Sequence, residues 1–325
     1  MKKSLDVAVL MGGFSDERDV SLKSGKAVAK ALLAAGHSVR AVDVVKRDLA
    51  MLEKHRPDVV FIALHGAFGE DGGVQAVLEQ MHLPYTGSGP TASYVGMDKI
   101  ESKRLFVTNS IPTPDYFVVR ADDDLGEVIR SAGSMGYPVV CKPARGGSSC
   151  GVTIARDSAE LVAGVCKALD HDARVLVERR IKGRELTVGV LDGIGLPVIE
   201  IVADREFFDY DAKYFDEETQ YLTRVNLEPA VRQRVVTISE RAFEVLGSRQ
   251  LARVDLIYGT DGQVYVLELN SIPGMTERSL LPMAARMIGL EFIDLCSHLV
   301  EDAYYGKKIS TRIMTLQDEE MKQVG

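Results

Sequence analysis

The first ninety residues alternate short apolar runs with segments of helical periodicity. Residues 7–11 and 59–64 are continuous apolar runs, and residues 38–44 form a mixed run rich in β-branched side chains. Such runs are typical of strands that are covered on both faces, as in a parallel sheet. Residues 20–35 carry an apolar stripe at helical spacing, and Gly36 follows as the expected C-cap. The pattern predicts a βαβ arrangement and a small doubly wound N-terminal domain.

A second unit begins near residue 91. Two helical stretches surround residues 97–104, and prolines then mark a turn. Strands predicted at 138–141 and 152–155 bracket a loop rich in glycine and serine, and a further apolar strand ends at Glu178.

A third pattern begins at Gly183, where the predicted strands become longer. A helix is predicted near residues 230–246, a hairpin around 259–262 and a helix over 286–299. The residues after Gly306 are polar and charged, so we expect a weakly ordered tail there.

The composition bounds the class of protein. With 325 residues, 46% of them hydrophobic, the chain can bury one large core or form two or three domains. No apolar run approaches the ~20 residues that cross a bilayer, so no membrane partner is expected. Asp6 interrupts the first apolar stretch and Gly12 ends it, which favours a β-strand over a signal peptide.

Charge and cysteine usage exclude two further classes. A formal charge of −8 and a pI of about 5.4 argue against a general nucleic-acid binder, which usually presents a basic face. The four cysteines lack CxxC spacing, so neither a zinc site nor a disulfide framework is predicted. Reduced cysteines in a cytoplasmic protein are the simplest interpretation.

The C-terminal hairpin carries the strongest chemical signal. Two apolar strands, 251–258 and 263–270, are joined by Gly-Thr-Asp-Gly, a good turn sequence. With this turn, Asp255 and Glu268 lie nearly opposite each other, where two carboxylates repel unless a cation separates them. Asp, Glu and Asn supply the oxygen ligands that Mg²⁺ prefers, so the hairpin predicts a metal site. The alternative is that Arg253 simply neutralises a structural acidic pair.

The loop 142–151, KPARGGSSCG, lies between two predicted strands. Its glycines permit a tightly turned backbone whose N–H groups can face phosphate oxygens, while Ser148, Ser149 and Lys142 add hydroxyl donors and a positive charge. It is not a Walker A loop, which requires GxxxxGK[ST] at the start of a helix. A glycine-rich hairpin loop without a ligand remains the alternative.

Polar residues also follow two N-terminal strands. The segment GGFSDERDVS, 12–21, lacks the GxGxxG fingerprint, so a dehydrogenase is weakly supported. Within it, Glu17 can cap a helix or hold a substrate ammonium. The segment LHGAFGEDGGVQ, 64–75, includes His65, which can be structural or part of a site. A loop over 208–214, rich in Tyr, Lys and Asp, can be a lid or a solvated surface loop.

Together and in order, eight segments resemble the D-alanine–D-alanine ligases of the ATP-grasp superfamily. They are GGFSDERDVS, LHGAFGEDGGVQ, YTGSGPTAS, MDKIESK, KPARGGSSCG, DAKYFDEETQY, ARVDLI and LELNSIPGMTERSLLP. The resemblance implies a three-domain ATP-grasp fold of α/β and α+β class. Residues 1–92 would form an N-terminal α/β domain with a parallel sheet, 93–182 a central domain, 183–305 a C-terminal domain with the metal site and lid, and 306–325 a tail.

The resemblance assigns one group of residues to ATP and metal ions. It implies that the adenine is read by Glu178 and the adjoining main chain, and that two Mg²⁺ ions, or Mn²⁺ in their place, bind on the hairpin. The implied ATP-binding residues are Lys99, Lys142, Ser149, Glu178, Arg179, Arg180, Ile181 and Glu185, and the implied metal ligands are Asp255, Glu268 and Asn270.

The resemblance also implies a reaction and its substrate residues. The carboxylate of one D-alanine would attack the γ-phosphate of ATP, and the amine of a second would attack the resulting acyl phosphate. Glu17 would anchor the first ammonium with His65 nearby, in a hydrogen-bonded set with Ser148 and Tyr214. The tetrahedral oxygen would be stabilised by Arg253 and the Gly274 N–H, and the second carboxylate would be received by Ser279, Leu280 and Lys213.

Tyr214 favours D-alanine as second substrate, because relatives that use D-lactate tend to carry Phe there. Departures from the family pattern are Gly146, Cys150, Arg179 and Phe208, none of which removes a catalytic group. A ligase making another depsipeptide or dipeptide, and a non-catalytic nucleotide-binding protein, are the competing hypotheses. The family further implies a cytoplasmic homodimer that supplies peptidoglycan precursors.

Overall fold

The structure, a computed structural model, describes residues 4–148, 150–202 and 220–306 together with residues 308 and 313. The described strands form three separate sheets that follow one another along the chain.

The first sheet is parallel, with strand order β2-β1-β3. Its residues are those whose apolar runs predict buried strands, and the predicted βαβ arrangement is confirmed. The elements of this part are β1 (Asp6–Gly12), α1 (Arg18–Ala34), β2 (Ser38–Val44), α2 (Ala50–Lys54), β3 (Val59–Ile62) and α3 (Gly73–Gln80).

The second sheet is antiparallel, with order β4-β7-β5-β6. Three of its helices begin after an aspartate whose carboxylate accepts from the first-turn N–H groups, namely Asp98, Asp124 and Asp157. The elements are α4 (Pro90–Met97), α5 (Lys99–Thr108), β4 (Tyr116–Arg120), α6 (Leu125–Met135), β5 (Val139–Pro143), β6 (Thr153–Ala155), α7 (Ser158–Leu169) and β7 (Arg174–Arg179).

The third sheet is also antiparallel, with order β11-β10-β8-β12-β13 and β9 paired to β8. The predicted hairpin is its β12–β13 pair. The elements are β8 (Gly183–Leu191), β9 (Ile194–Gly195), β10 (Ile199–Val202), β11 (Gln220–Leu222), α8 (Pro229–Val245), β12 (Leu251–Gly259) and β13 (Val264–Asn270).

The helix predicted over 286–299 is wrong in its bounds. The structure has two helices here, α9 (Leu280–Met287) and α10 (Phe292–Tyr305). Between them Gly289 adopts φ +76°, in the left-handed region that favours glycine and ends a helix. The apolar residues on both sides of the break remain buried, which is why their periodicity reads as a single helix.

The C-terminal end of the described chain packs onto the first sheet. Helix α10 contacts both α1 and β3, and its buried Leu295 and Leu299 share a core cluster with Val7 and Val9 of β1. Ile313 is fully buried in the same cluster. For this residue, the expectation of a weakly ordered polar tail is wrong, because its side chain completes an apolar core.

None of the helices in the described part of the chain is long and apolar enough to span a bilayer.

Candidate functional site

A cavity of about 430 Å³, the main cavity, is lined by residues of the second and third sheets. Its apolar lining includes Val140, Ile154, Ile257 and Leu267, which can enclose a flat ring. Ten residues that the sequence assigns to ATP, metal or catalysis line it as well: Lys99, Lys142, Ser148, Glu178, Arg179, Arg180, Ile181, Glu185, Asp255 and Glu268.

One side of the main cavity is lined by Lys142 and Glu178, which the buried Lys103 contacts from behind; these three residues are called the lysine wall. Strands β5 and β7 pair so that Val140 lies opposite Glu178 and Lys142 opposite Leu176, which places Lys142 and Glu178 diagonally on one face. Glu178 Oε1 accepts from Lys142 Nζ at 2.6 Å, and Oε2 lies 2.9 Å from Lys103 Nζ. All three residues are buried.

Burial and charge oppose each other within the lysine wall. Burial disfavours ionisation of Glu178, but the Lys103 and Lys142 ammonium groups outweigh it and hold the pKa of this carboxyl below its usual range. Burial lowers the pKa of Lys103 to about 8, although the Glu178 carboxylate acts in the opposite direction. At neutral pH Lys103 and Glu178 therefore form an ion pair.

Lys99 lies at the first position of α5, where its side chain reaches the glycine-rich loop. Its Nζ donates to the Gly146 carbonyl at 2.6 Å and lies 3.5 Å from Glu268 Oε2. Asp98, which is fully buried, caps α5 and also pairs with Arg145 and Arg174. These two pairs outweigh the effect of burial and lower the pKa of Asp98. Asp98 thus ties the start of α5 to the loop.

Some main-chain N–H groups of the segment after Glu178 already donate hydrogen bonds within the protein. The N–H of Arg179 donates to the Asp115 carbonyl and the N–H of Arg180 to the Pro138 carbonyl, so these are not free donors for a base. The Arg179 guanidinium lies 5.6 Å from the centre of the Tyr265 ring. On β8, Glu185 pairs in register with Ile201 and Ile257 and faces the cavity.

Asp255 and Glu268 also line the main cavity, and together with Arg253, which pairs with Asp255, they are called the carboxylate wall. The predicted register is confirmed: Asp255 lies opposite Glu268, and Arg253 opposite Asn270. Arg253 donates twice to Asp255, at 2.8 and 2.7 Å, so the neutralising pair that was the alternative to a metal site is present.

The oxygen atoms of the carboxylate wall and its neighbours indicate whether the wall suits Mg²⁺. Asp255 also accepts from Thr187 Oγ1 at 2.7 Å and from Asn270 Nδ2 at 3.0 Å. The Asn270 amide can present its oxygen instead, because the nitrogen and oxygen of an amide are assigned from the hydrogen-bond network. Two carboxylates in register and one amide oxygen are hard oxygen ligands and fit the ion. In the parts that the structure describes, no three His, Cys, Asp or Glu side chains cluster as a metal site.

Glu17 joins the N-terminal unit to the glycine-rich loop. Although it stands at the N-cap position of α1, its side chain makes no capping bond and instead accepts from Ser148 Oγ. A Cβ at Gly147 would lie 2.8 Å from Glu17 Oε2, so only glycine allows this approach. Ser148 itself adopts φ +52°, an uncommon conformation for a residue with a side chain.

His65 is buried beside Glu17 in a polar network. Its Nδ1 lies 3.1 Å from Glu70 Oε1 and its Nε2 3.4 Å from Ser24 Oγ, which in turn accepts from the Met275 N–H. Burial disfavours the charged ring, but the hydrogen bond that the ring donates to the Glu70 carboxylate outweighs it and raises the pKa of His65. The network connects the N-terminal unit to the segment that precedes α9.

The residues expected at the second substrate lie around the start of α9. Ser279 is its N-cap residue and Leu280 its first helical residue, so main-chain N–H groups without helical partners point out of this end. Ser279 Oγ accepts from the Thr276 N–H at 3.1 Å, and a Cβ at Gly274 would lie 3.0 Å from Ser279 Oγ. Gly274 and Ser279 are therefore neighbours.

Three residues assigned from the sequence, Ser149, Lys213 and Tyr214, lie outside the described residues, as does Phe208. The lid hypothesis therefore stays a prediction.

The sequence analysis missed Lys103, Asp98 and Glu70, each within a segment that it quoted. Lys103 had an available signal, since it follows Lys99 by four residues and so shares a helix face with it. Asp98 before a helix is a typical N-cap residue. The pairing of Glu70 with His65 had no such signal, because it depends on how a loop folds back.

Comparisons with known proteins identify the family to which the chain is similar. Family models described as D-ala D-ala ligase N-terminus and C-terminus match residues 46–88 and 105–301. A D-alanine–D-alanine ligase of Saccharophagus degradans is 45% identical over 287 residues, which are 88% of this chain and 90% of the relative.

Two solved structures extend the likeness to the whole fold. The Bacillus anthracis D-alanine–D-alanine ligase complexed with ATP has a TM-score of 0.81 at 31% identity, over 97% of this chain and all of that one. A D-Ala:D-Ser ligase of Enterococcus faecalis has a TM-score of 0.82 at 27% identity, over 93% of this chain and all of that one.

Proposed function

The chain belongs to the D-alanine–D-alanine ligase family, and on that premise we propose that it uses ATP to join two D-alanine molecules, releasing ADP and phosphate. The observation that carries the proposal is the main cavity, which brings together Lys99 and Lys142, a glycine-rich loop, an apolar lining and two facing carboxylates. Glu17 and Ser148 meet at its edge, beside the N-terminal unit.

In the first step, a carboxylate oxygen of the first D-alanine forms a bond to the γ-phosphorus, and the bond to the ADP oxygen breaks. Glu17 holds the ammonium of this D-alanine, while Lys99 and Lys142 bind the phosphates and offset their charge. Asp255, Glu268 and Asn270 would hold Mg²⁺, which supplies positive charge to the phosphate oxygens when bound.

In the second step, the amine of the second D-alanine forms a bond to the acyl carbon, the bond from that carbon to the phosphate oxygen breaks, and the proton that the nitrogen loses passes to the leaving phosphate. Arg253 and the Gly274 N–H offset the negative charge on the tetrahedral oxygen. The N–H groups at the start of α9, at Leu280, receive the carboxylate of the second D-alanine, with Lys213 as a further cation. Closure by the segment around Tyr214 excludes water, which would otherwise hydrolyse the acyl phosphate.

The proposal also covers the setting of the enzyme. Its product is a building block for peptidoglycan precursors, which places the reaction in the cytoplasm. We further propose that the enzyme acts as a homodimer.

Phosphate release from ATP and Mg²⁺ tests the function, with D-alanine, L-alanine, D-serine and D-lactate offered singly and in pairs and products identified by mass. We expect release that requires D-alanine and yields its dipeptide, and that stops when EDTA removes the metal. Folded protein that binds ATP but shows no D-alanine-dependent release would overturn the proposal.

A second product is favoured by one observation, the likeness to the D-Ala:D-Ser ligase. If D-alanine and D-serine together give the mixed dipeptide in preference to D-alanyl-D-alanine, the chemistry stands and the assignment of the second substrate changes.

A further inference from the structure

Lys103 is a buried cation that the mechanism leaves without a role. It is fully buried, and its Nζ donates to Thr113 Oγ1 at 2.5 Å and lies 2.9 Å from Glu178 Oε2. Thr113 Oγ1 in turn donates to the Val266 carbonyl at 2.8 Å, which fixes the position of the hydroxyl. The tip of Lys103 is therefore held by β7 and by the segment that precedes β4.

Lys142 differs from Lys103 in its access to the main cavity. Both ammonium groups contact Glu178, Lys142 through Oε1 and Lys103 through Oε2. Lys142 lines the cavity, where a ligand can reach it, whereas Lys103 has no exposed surface. A phosphate entering the cavity therefore competes with Glu178 for Lys142 and cannot compete for Lys103.

We propose that Lys103 is a positioning residue that holds Oε2 of Glu178 at all times, while Lys142 occupies Oε1 only until the nucleotide enters. Lys142 then turns to a phosphate, and the amino group of the base takes its place as the donor to Oε1. This inference rests on the proposed function, because it assumes that Glu178 and Lys142 bind ATP.

The physical reason is the cost of a buried charge without a partner. Breaking a buried ion pair by removing one partner is strongly destabilising, because the other charge stays in a poorly polarisable environment. With Lys103 in place, the departure of Lys142 leaves Glu178 ionised and still paired. Without Lys103, Lys142 can turn to an ATP phosphate only if the Glu178 carboxylate is left without an ion-pair partner or becomes protonated.

A double-mutant cycle tests the proposal through the KM for ATP. We expect Lys103→Met to raise this KM about 100-fold, on the order expected for a lost buried partner, and to change the KM for D-alanine less than about twofold. In a Glu178→Gln background the same substitution should change it less than about threefold, since no carboxylate is left to compensate. Arg104→Met, which removes an exposed cation from the next position of α5, is the matched control.

Equal effects of Lys103→Met with and without Glu178→Gln would overturn the proposal, as would equal changes in both KM values, because either result indicates a general structural role. If Lys103→Met does not fold, the unaltered protein supplies the test through the ¹⁵N resonances of its lysine ammonium groups. On addition of a non-hydrolysable ATP analogue, the Lys142 resonance should move and that of Lys103 should stay. Movement of Lys103 with Lys142 unchanged would contradict the assignment.

The two proposals fail differently. Absence of D-alanine-dependent phosphate release from the unaltered chain removes the proposed function. Normal release, together with additive effects of the Lys103 and Glu178 substitutions, removes only the role of Lys103.

Discussion

The lysine wall and the carboxylate wall border the same cavity and carry net charges of opposite sign. The lysine wall has two ammonium groups and one carboxylate, which leaves one positive charge. The carboxylate wall has one guanidinium and two carboxylates, which leaves one negative charge. Lys99 lies between them, bonded to the Gly146 carbonyl and 3.5 Å from Glu268.

The comparison shows that ion pairing among the side chains of a wall and binding of a ligand by that wall are separate functions. Within each wall ion pairing offsets part of the cost of burying charge, and the net charge of the wall favours one class of ligand. A net positive charge favours binding of phosphate oxygens, whereas a net negative charge favours binding of a divalent metal ion. Each of the four predictions below concerns a substitution that changes the net charge or an ion pair of one region.

The largest effect is expected from removing the net negative charge of the carboxylate wall. Asp255→Asn should lower kcat by a factor on the order of 10³, because it removes a metal ligand and leaves Arg253 without its doubly bonded partner. Initial rates of phosphate release at saturating ATP and Mg²⁺ measure it. Asp261→Asn, at the exposed turn of the same hairpin, is the control, and a loss below tenfold at Asp255 would contradict the assignment.

Removing the net positive charge of the lysine wall should have a smaller effect. Lys142→Met is expected to raise the KM for ATP by about 100-fold while changing the KM for D-alanine little, because Glu178 keeps Lys103 as its partner. Steady-state kinetics with each substrate varied in turn measure both constants. Lys167→Met removes an exposed cation from α7 and should change neither; a similar rise in both constants at Lys142 would argue against a phosphate contact.

The third prediction concerns the internal pair of the lysine wall and pH. Folded Lys103 has a pKa of about 8 against 10.5 for the free side chain, so between these values the unfolded chain binds more protons and stability rises with pH. The charged and titratable groups facing Lys103 are Glu178, Lys142, Glu268 and Tyr116.

The difference in free energy of unfolding between the unaltered chain and Lys103→Met should therefore increase by about 2 kcal/mol from pH 8 to pH 10. Urea denaturation at both pH values measures it. A constant difference would mean that Lys103 keeps its ordinary pKa in the folded protein.

The smallest effect is expected outside both walls, at His65. Its pKa is raised in the folded chain, so its ion pair with Glu70 stabilises at low pH and is lost as pH rises through that value. Glu70→Gln should cost about 1 kcal/mol of stability at pH 5.5 and less at pH 9. Thermal unfolding at the two pH values distinguishes this from an equal loss at both, which would indicate a pH-independent packing effect.

The hairpin shows how much of the site the sequence could predict. A four-residue turn with glycine at each end leaves few ways to pair the flanking strands, and alternation then determines which side chains meet. The register that runs from the turn pairs Leu256 with Val266, and a β-bulge between Asp255 and Leu256 then brings Asp255 opposite Glu268, so the turn alone predicts this pair only approximately. The strands β1 and β2 follow from their apolar runs. These are local rules, acting over short separations along the chain.

The remaining features depend on tertiary packing. Whether Lys103 points into solvent or beneath β7 is decided by strands more than seventy residues further along, so its helical position alone does not predict burial. The same holds for Glu17, whose place at a helix start suggests a cap until Ser148 approaches from another sheet. The break at Gly289 was missed because glycine within an apolar pattern is compatible with a continuous helix.

The packing of α10 against α1 and β3 has a consequence for synthesis on the ribosome. The first sheet emerges early, yet part of its apolar surface is covered only by residues near 295–300 and by Ile313. At about 5–20 residues per second, tens of seconds separate the two events. During translation, this face of the first sheet is exposed to chaperones and to neighbouring nascent chains until the last helix arrives.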